Sequence, residues 1–100
     1  MKRILKPMLP NQCHRNVALL YIRNEIDNIV TGEAFNGVKW IEHSWGIKDG
    51  NLIETTGLFF EDYKGKALKK GQSRRFVFNE LAFSDFPEDR EVYETWLISL

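Results

Sequence analysis

The chain has little of what most site chemistry and most compartments demand: one cysteine, two histidines, three prolines and no net charge across 100 residues. A single cysteine excludes an internal disulfide, and one thiol is too few for a cysteine-built zinc centre. Fourteen basic and fourteen acidic side chains cancel, so no overall field gathers nucleic acid or an anionic membrane. No stretch approaches the roughly 20 apolar residues of a membrane span. The opening "MKRILKPMLP" is basic, but Pro7 and Pro10 interrupt it before an apolar run of signal-peptide length develops. These absences lead to the expectation of a cytoplasmic protein with no metal, no cofactor and no membrane or nucleic-acid partner. They leave the oligomeric state open, and a small phage or mobile-element protein would read the same.

What is present fits one domain over residues 1–100. At this length about two-thirds of the unfolded surface is buried on folding. Residues 1–10 read as an extended arm, because proline disfavours helix at the residue before it. Asn11 is a plausible N-cap. From Gln12 to about Ile29, Cys13, Val17, Ala18, Leu20, Tyr21, Ile26 and Ile29 make an apolar stripe at helical spacing. "NIVTGEAFNG" is a short strand entering a turn. Val38 to Ile47 alternates, and "KDGN" is a strong hairpin signal because both central residues of a type I′ turn take positive φ. Leu52 to Thr56 is the return strand, and "GLFFEDYKG" and "RRFVFNELAF" are further strand candidates. "KALKKGQS" reads as a polar connection, and Glu88 to Ile98 as a closing helix with Val92 and Trp96 facing inward. The expected architecture is α+β: an N-terminal helix packed on an antiparallel sheet of four to five strands, with a C-terminal helix.

The chemistry collects at three positions. Cys13 opens the first helix, where unpaired amides and the macrodipole favour a thiolate. His43 lies on the first hairpin strand and Glu54 on the second. With Asp49 and Gly50 as the loop, paired residue numbers sum to 99, so Trp45 faces Glu54 and His43 faces Thr56. These four side chains then share one face, with Glu54 diagonal to His43. A slip by one residue would send Glu54 to the opposite face. In this reading His43 is base and acid, Glu54 fixes its tautomer, and Trp45 walls the site. The Cys13 amide and the side chain of Gln12 or Asn11 would receive an oxyanion. His14 is expected on the surface or behind these residues, with replacement of His43 in the chemistry as the alternative.

At these residues the chain resembles the papain-like, transglutaminase-like cysteine hydrolases. "EHSWGIKDGNLIETT" is similar to the transglutaminase-core pattern of His, a small residue and Trp before a Gly-containing turn and then Asp-Pro-Thr. His43, Ser44 and Trp45 match its first part, while Glu54, Thr55 and Thr56 stand in place of Asp-Pro-Thr. "NQCHRN" resembles the helix-opening segment of short bacterial and phage members. The resemblance covers about residues 11–65. It implies a papain-like core and a Cys13-His43-Glu54 triad acting on an amide, isopeptide or thioester bond of a peptide or acyl-amide substrate. Glutamate for aspartate and a short stretch between Cys13 and His43 depart from the pattern. Two other functions fit the residues: an inactive accessory module of the same fold, and a nucleic-acid-associated protein using the basic 64–75 run.

Overall fold

A computed structural model describes residues 1–100 and places every element on or beside one five-stranded sheet. The strands are β1 (Arg3–Leu5), β2 (Asn28–Phe35), β3 (Trp40–Lys48), β4 (Asn51–Glu54) and β5 (Asp62–Ala67), in the order β1-β4-β3-β2-β5. The helices are α1 (Cys13–Ile22), α2 (Lys70–Leu81) and α3 (Pro87–Ser99). The α+β architecture with a helix towards each end is therefore as the sequence implied.

The expected hairpin register is present. Gly46, Ile47 and Lys48 pair with Ile53, Leu52 and Asn51. Asp49 and Gly50 carry the required positive φ of 52° and 78°. The arm goes further than an extended coil: β1 pairs parallel with β4, Arg3 opposite Leu52 and Leu5 opposite Glu54. The sheet is thus mixed rather than wholly antiparallel. Beyond β1 the arm continues alongside, as the Lys6 amide donates to the Glu54 carbonyl and the Met8 amide to that of Thr55, both at 2.8 Å.

Three segments differ from the sequence-based expectation. The first helix stops at Ile22, because Asn24 takes a left-handed φ of 58° and turns the chain. Ile26 and Ile29 continue the helical stripe in sequence, yet they reach the same core from the loop and from β2. Most of "RRFVFNELAF" lies in α2 and not in a strand, since its buried Ser73, Val77 and Leu81 recur every four residues. The first half of "GLFFEDYKG" is not a strand either. β4 and β5 lie on opposite sides of the β3–β2 pair, so residues 55–61 must cross the sheet.

The three helices bury Val17, Leu20, Val77, Leu81 and Tyr93 together with Ile29 and Ile53 of the sheet. Tyr93 is the buried apolar residue of α3, while Val92 and Trp96 pack at the margin. Arg15 of α1 clamps α3 through paired hydrogen bonds of 2.9 Å to both carboxylate oxygens of buried Asp89. No helix is long and apolar enough to cross a membrane.

Candidate active site

The β3–β4 ladder ends at the Gly46–Ile53 pair. Beyond it β3 continues alone on that side, and the first residue of α1 docks against it. There the Ser44 backbone amide lies close to the Cys13 sulfur. Pleating sends His43 to one face of the sheet and Ser44 to the other. The thiol therefore stands at a strand edge with an imidazole contact from each face: His43 from one, and His14, anchored on Ser44, from the other.

His43 is braced as the register required. Its Nε2 lies 2.9 Å from Glu54 Oε1, with 2% of His43 and none of Glu54 exposed. A fully buried carboxylate needs every lone pair met. Glu54 Oε1 also accepts from the Tyr63 hydroxyl at 2.9 Å. Glu54 Oε2 accepts from the Thr56 amide at 3.0 Å and the Thr56 hydroxyl at 2.7 Å. With Nε2 held by the acid, Nδ1 is the nitrogen left for sulfur.

The crossing segment closes over this network. The Phe60 ring packs 4.5 Å from that of His43, and Trp45 stacks behind it at 6.1 Å and 23°. The Phe60 amide donates to the Tyr63 hydroxyl oxygen at 3.0 Å. Arg3 fastens the roof to the arm by donating to the Phe60 carbonyl at 3.0 Å, its guanidinium lying over the Tyr63 ring. Only a glycine fits at position 65: a Cβ there would meet the Trp45 ring at 2.9 Å.

The electrostatics follow from this packing. Burial pushes the Cys13 thiol up, but its hydrogen bonds with His14, His43 and the Ser44 amide bring it down to about 6. Burial pushes His43 down, but hydrogen bonds with Cys13 and Glu54 raise it to about 9. For Glu54, burial is outweighed by its bonds to His43 and Thr56, which hold the carboxyl below its ordinary range. Burial and the neighbouring Glu54 keep Tyr63 protonated, as its donor role requires. The two shifts run in opposite directions, thiol down and imidazole up, and so favour a thiolate beside an imidazolium.

Cys13, His43 and Glu54 thus come together; the ladder stops short of the expected Trp45–Glu54 and His43–Thr56 pairs, and Thr56 joins through its own bonds to Glu54. Gln12 and Trp45 take other places. Gln12 is exposed at the helix N-cap with no side-chain capping bond, whereas Asn11 lines a cleft of about 210 Å³ at Cys13 with Ile41, Glu42, His43, Thr56 and Phe60. Trp45 backs the imidazole rather than walling that cleft. His14 is half-buried: its Nδ1 lies 2.6 Å from Ser44 Oγ, which donates on to Thr31 Oγ1 at 3.1 Å, and its Nε2 lies 3.4 Å from Glu42. Contact with the thiol raises His14. In the sequence Tyr63 and Phe60 stand only within the strand candidate "GLFFEDYKG". A buried carboxylate with one histidine donor leaves lone pairs to fill, and that shortfall was the available signal for a tyrosine. Comparison with protein-family models, with curated proteins and with solved structures returned no match for this chain.

Proposed function

We propose that the protein is a thiol-dependent hydrolase or acyl transferase acting on an amide, isopeptide or thioester carbonyl through Cys13, His43 and Glu54. The observation that carries this reading is the convergence of the helix-opening sulfur and His43 on one cleft, with His43 bonded to a carboxylate that has no solvent exposure. The Cys13 thiolate adds to the carbonyl carbon, and the oxygen takes the negative charge. The first amide of α1, which has no intrahelical acceptor, and the Asn11 side chain in the cleft are the donors available to it. Gln12 reaches the oxyanion only by turning inward. As the tetrahedral adduct collapses, imidazolium His43 protonates the departing amine or thiol, leaving an acyl thioester on Cys13. Neutral His43 then takes a proton from water or an acceptor nucleophile, and a second collapse returns the thiolate. Glu54 holds the ring and favours the imidazolium; it does not take the proton.

The test has two stages. Alkylation by iodoacetamide should rise with a midpoint near pH 6, and shift towards the ordinary thiol value of about 8.5 in His43→Ala. A small activated thioester should then leave an acyl mass on Cys13 that disappears with time in the parent and persists in His43→Ala. A midpoint near 8.5 in the parent would overturn the reading. The position of Gln12 outside the cleft favours a second reading, an accessory module of the same fold; a reactive thiol that never acquires an acyl group would select it.

A further inference from the structure

Apart from the cleft at Cys13, a hollow of about 630 Å³ opens between α2 and the β2–β5 edge, lined among others by Thr31, Lys69, Gln72, Arg75, Phe76 and Asn79. Its volume falls in the range of small-molecule sites, roughly 300–1,000 Å³. The hydrogen-bonding directions inside it are set by partners already engaged. The Gln72 side-chain oxygen accepts from the Lys69 amide at 2.8 Å, so its NH2 group is what remains to offer. Thr31 Oγ1 accepts from Ser44 at 3.1 Å, which leaves the hydroxyl proton to donate. Lys69 and Arg75 only donate. No carboxylate lines the hollow, and Leu68 and Phe76 supply an apolar wall.

The surrounding charge has the same sense. In a chain of zero net charge, Lys64, Lys66, Lys69, Lys70, Arg74 and Arg75 fall in one stretch, with no acid between Asp62 and Glu80. None of the six belongs to any of the five ion pairs of the structure, even though Glu33 stands opposite Lys64 across the sheet. Three cations elsewhere are paired: Arg15 on Asp89, Lys6 on Glu25, Lys48 on Asp27.

We propose that this hollow binds a small phosphorylated molecule, its phosphate held by Lys69, Arg75, the Thr31 hydroxyl and the Gln72 amide, and its organic body lying against Leu68 and Phe76. A phosphate ester with an organic body fits better than free phosphate. The donors would occupy its oxygens, while the remaining volume and the apolar wall suit a sugar or base. The inference is independent of the Cys13 chemistry.

The test uses the full chain with adenosine monophosphate and ribose 5-phosphate as probes, and with adenosine and inorganic phosphate as their parts. Saturable binding should be seen by calorimetry for at least one phosphate ester, with amide shifts confined to Thr31 and residues 68–79. Each part should bind more weakly. Exposed Arg75→Gln and Lys69→Gln should each weaken binding about tenfold or more, while Lys48→Gln leaves it unchanged. Adenosine binding as well as its monophosphate, parent-like affinity in both variants, or no saturable binding of either ester would overturn the proposal. So would binding confined to a single-stranded oligonucleotide, weakened equally by loss of any of the six cations and not displaced by adenosine monophosphate. That outcome would assign the surface to nucleic acid.

Discussion

On the helix-covered face of the sheet, eleven buried apolar residues from all three helices, β2, β4 and the α1–β2 loop fill one core. On the opposite face only Val30, Trp45 and Leu52 form a buried apolar group, and beside them lie His43, Glu54, Tyr63 and Thr56 joined by directed hydrogen bonds. The first face is stabilised by area removed from water, which asks for volume and little else. The second satisfies each buried polar atom with a particular partner, and no buried side-chain nitrogen or oxygen is left without one. A loss on the first face should be local and graded. On the second, one deletion strands several groups together and changes the titration of the thiol.

The largest effect should come from Glu54→Ala. It leaves His43 Nε2, the Tyr63 hydroxyl and both Thr56 donors without their acceptor. Breaking a buried ion pair in this way costs about 3–5 kcal/mol, to be read from urea unfolding. The alkylation midpoint of Cys13 should move up as well, because His43 loses the acid that favours its charged form. Leu81→Ala on the other face should cost nearly as much, about 2–5 kcal/mol, while leaving that midpoint where it was. Equal movement of the midpoint in both variants would show that the two faces are not separate.

The same contrast explains what could be read from the sequence. The hairpin register was legible because a two-residue Asp-Gly turn fixes pairing arithmetic next to the turn, and strand alternation then keeps His43 and Glu54 on one face beyond the last pair. Cys13 was legible as a helix-opening residue because Pro10 and the stripe from Val17 mark the boundary. α2 was not: Phe76, Val77 and Phe78 are good strand formers, and the four-residue recurrence of Ser73, Val77 and Leu81 hides its first member as a small polar residue. Nor was the roof of the site. The position of Phe60 and Tyr63 depends on β4 and β5 lying on opposite sides of the central strands, and strand order is a property of the whole sheet. The parallel pairing of β1 is non-local in the same way.

Gly65→Ala probes the polar face without removing any of its hydrogen-bonding groups. The added methyl would meet the Thr31 carbonyl at 2.6 Å and the Trp45 ring at 2.9 Å, so β5 or the indole must shift. Overpacking of this kind costs about 1–3 kcal/mol. Because Trp45 backs His43, the displacement should appear as a change in tryptophan fluorescence and in alkylation rate. A stability loss with both unchanged would mean that the strand yields and the indole does not.

The smallest effect should be the pH dependence of stability, and its shape distinguishes a titrating pair from a static polar patch. Cys13 is depressed to about 6 from an unfolded value near 8.5, so its contribution is complete above about 8.5 and is lost as pH falls through 6. His43 is raised to about 9 from an unfolded value near 6.5, so its contribution is complete below about 6.5 and is lost as pH rises through 9. Between those unfolded values the two slopes cancel, because folded and unfolded chains each bind one proton at the pair. The urea midpoint should therefore show a plateau from about pH 6.5 to 8.5, with a fall on either side. Glu54 adds a further loss at lower pH, where its depressed carboxyl is finally protonated. In Cys13→Ser the acid-side fall between pH 6.5 and 6 should vanish. The alkaline loss should begin earlier, near pH 6.5, since no thiol titration is left to offset that of His43. An identical profile in parent and Cys13→Ser would mean that sulfur and imidazole titrate as strangers, and the polar face would then be no more than a well-satisfied second core.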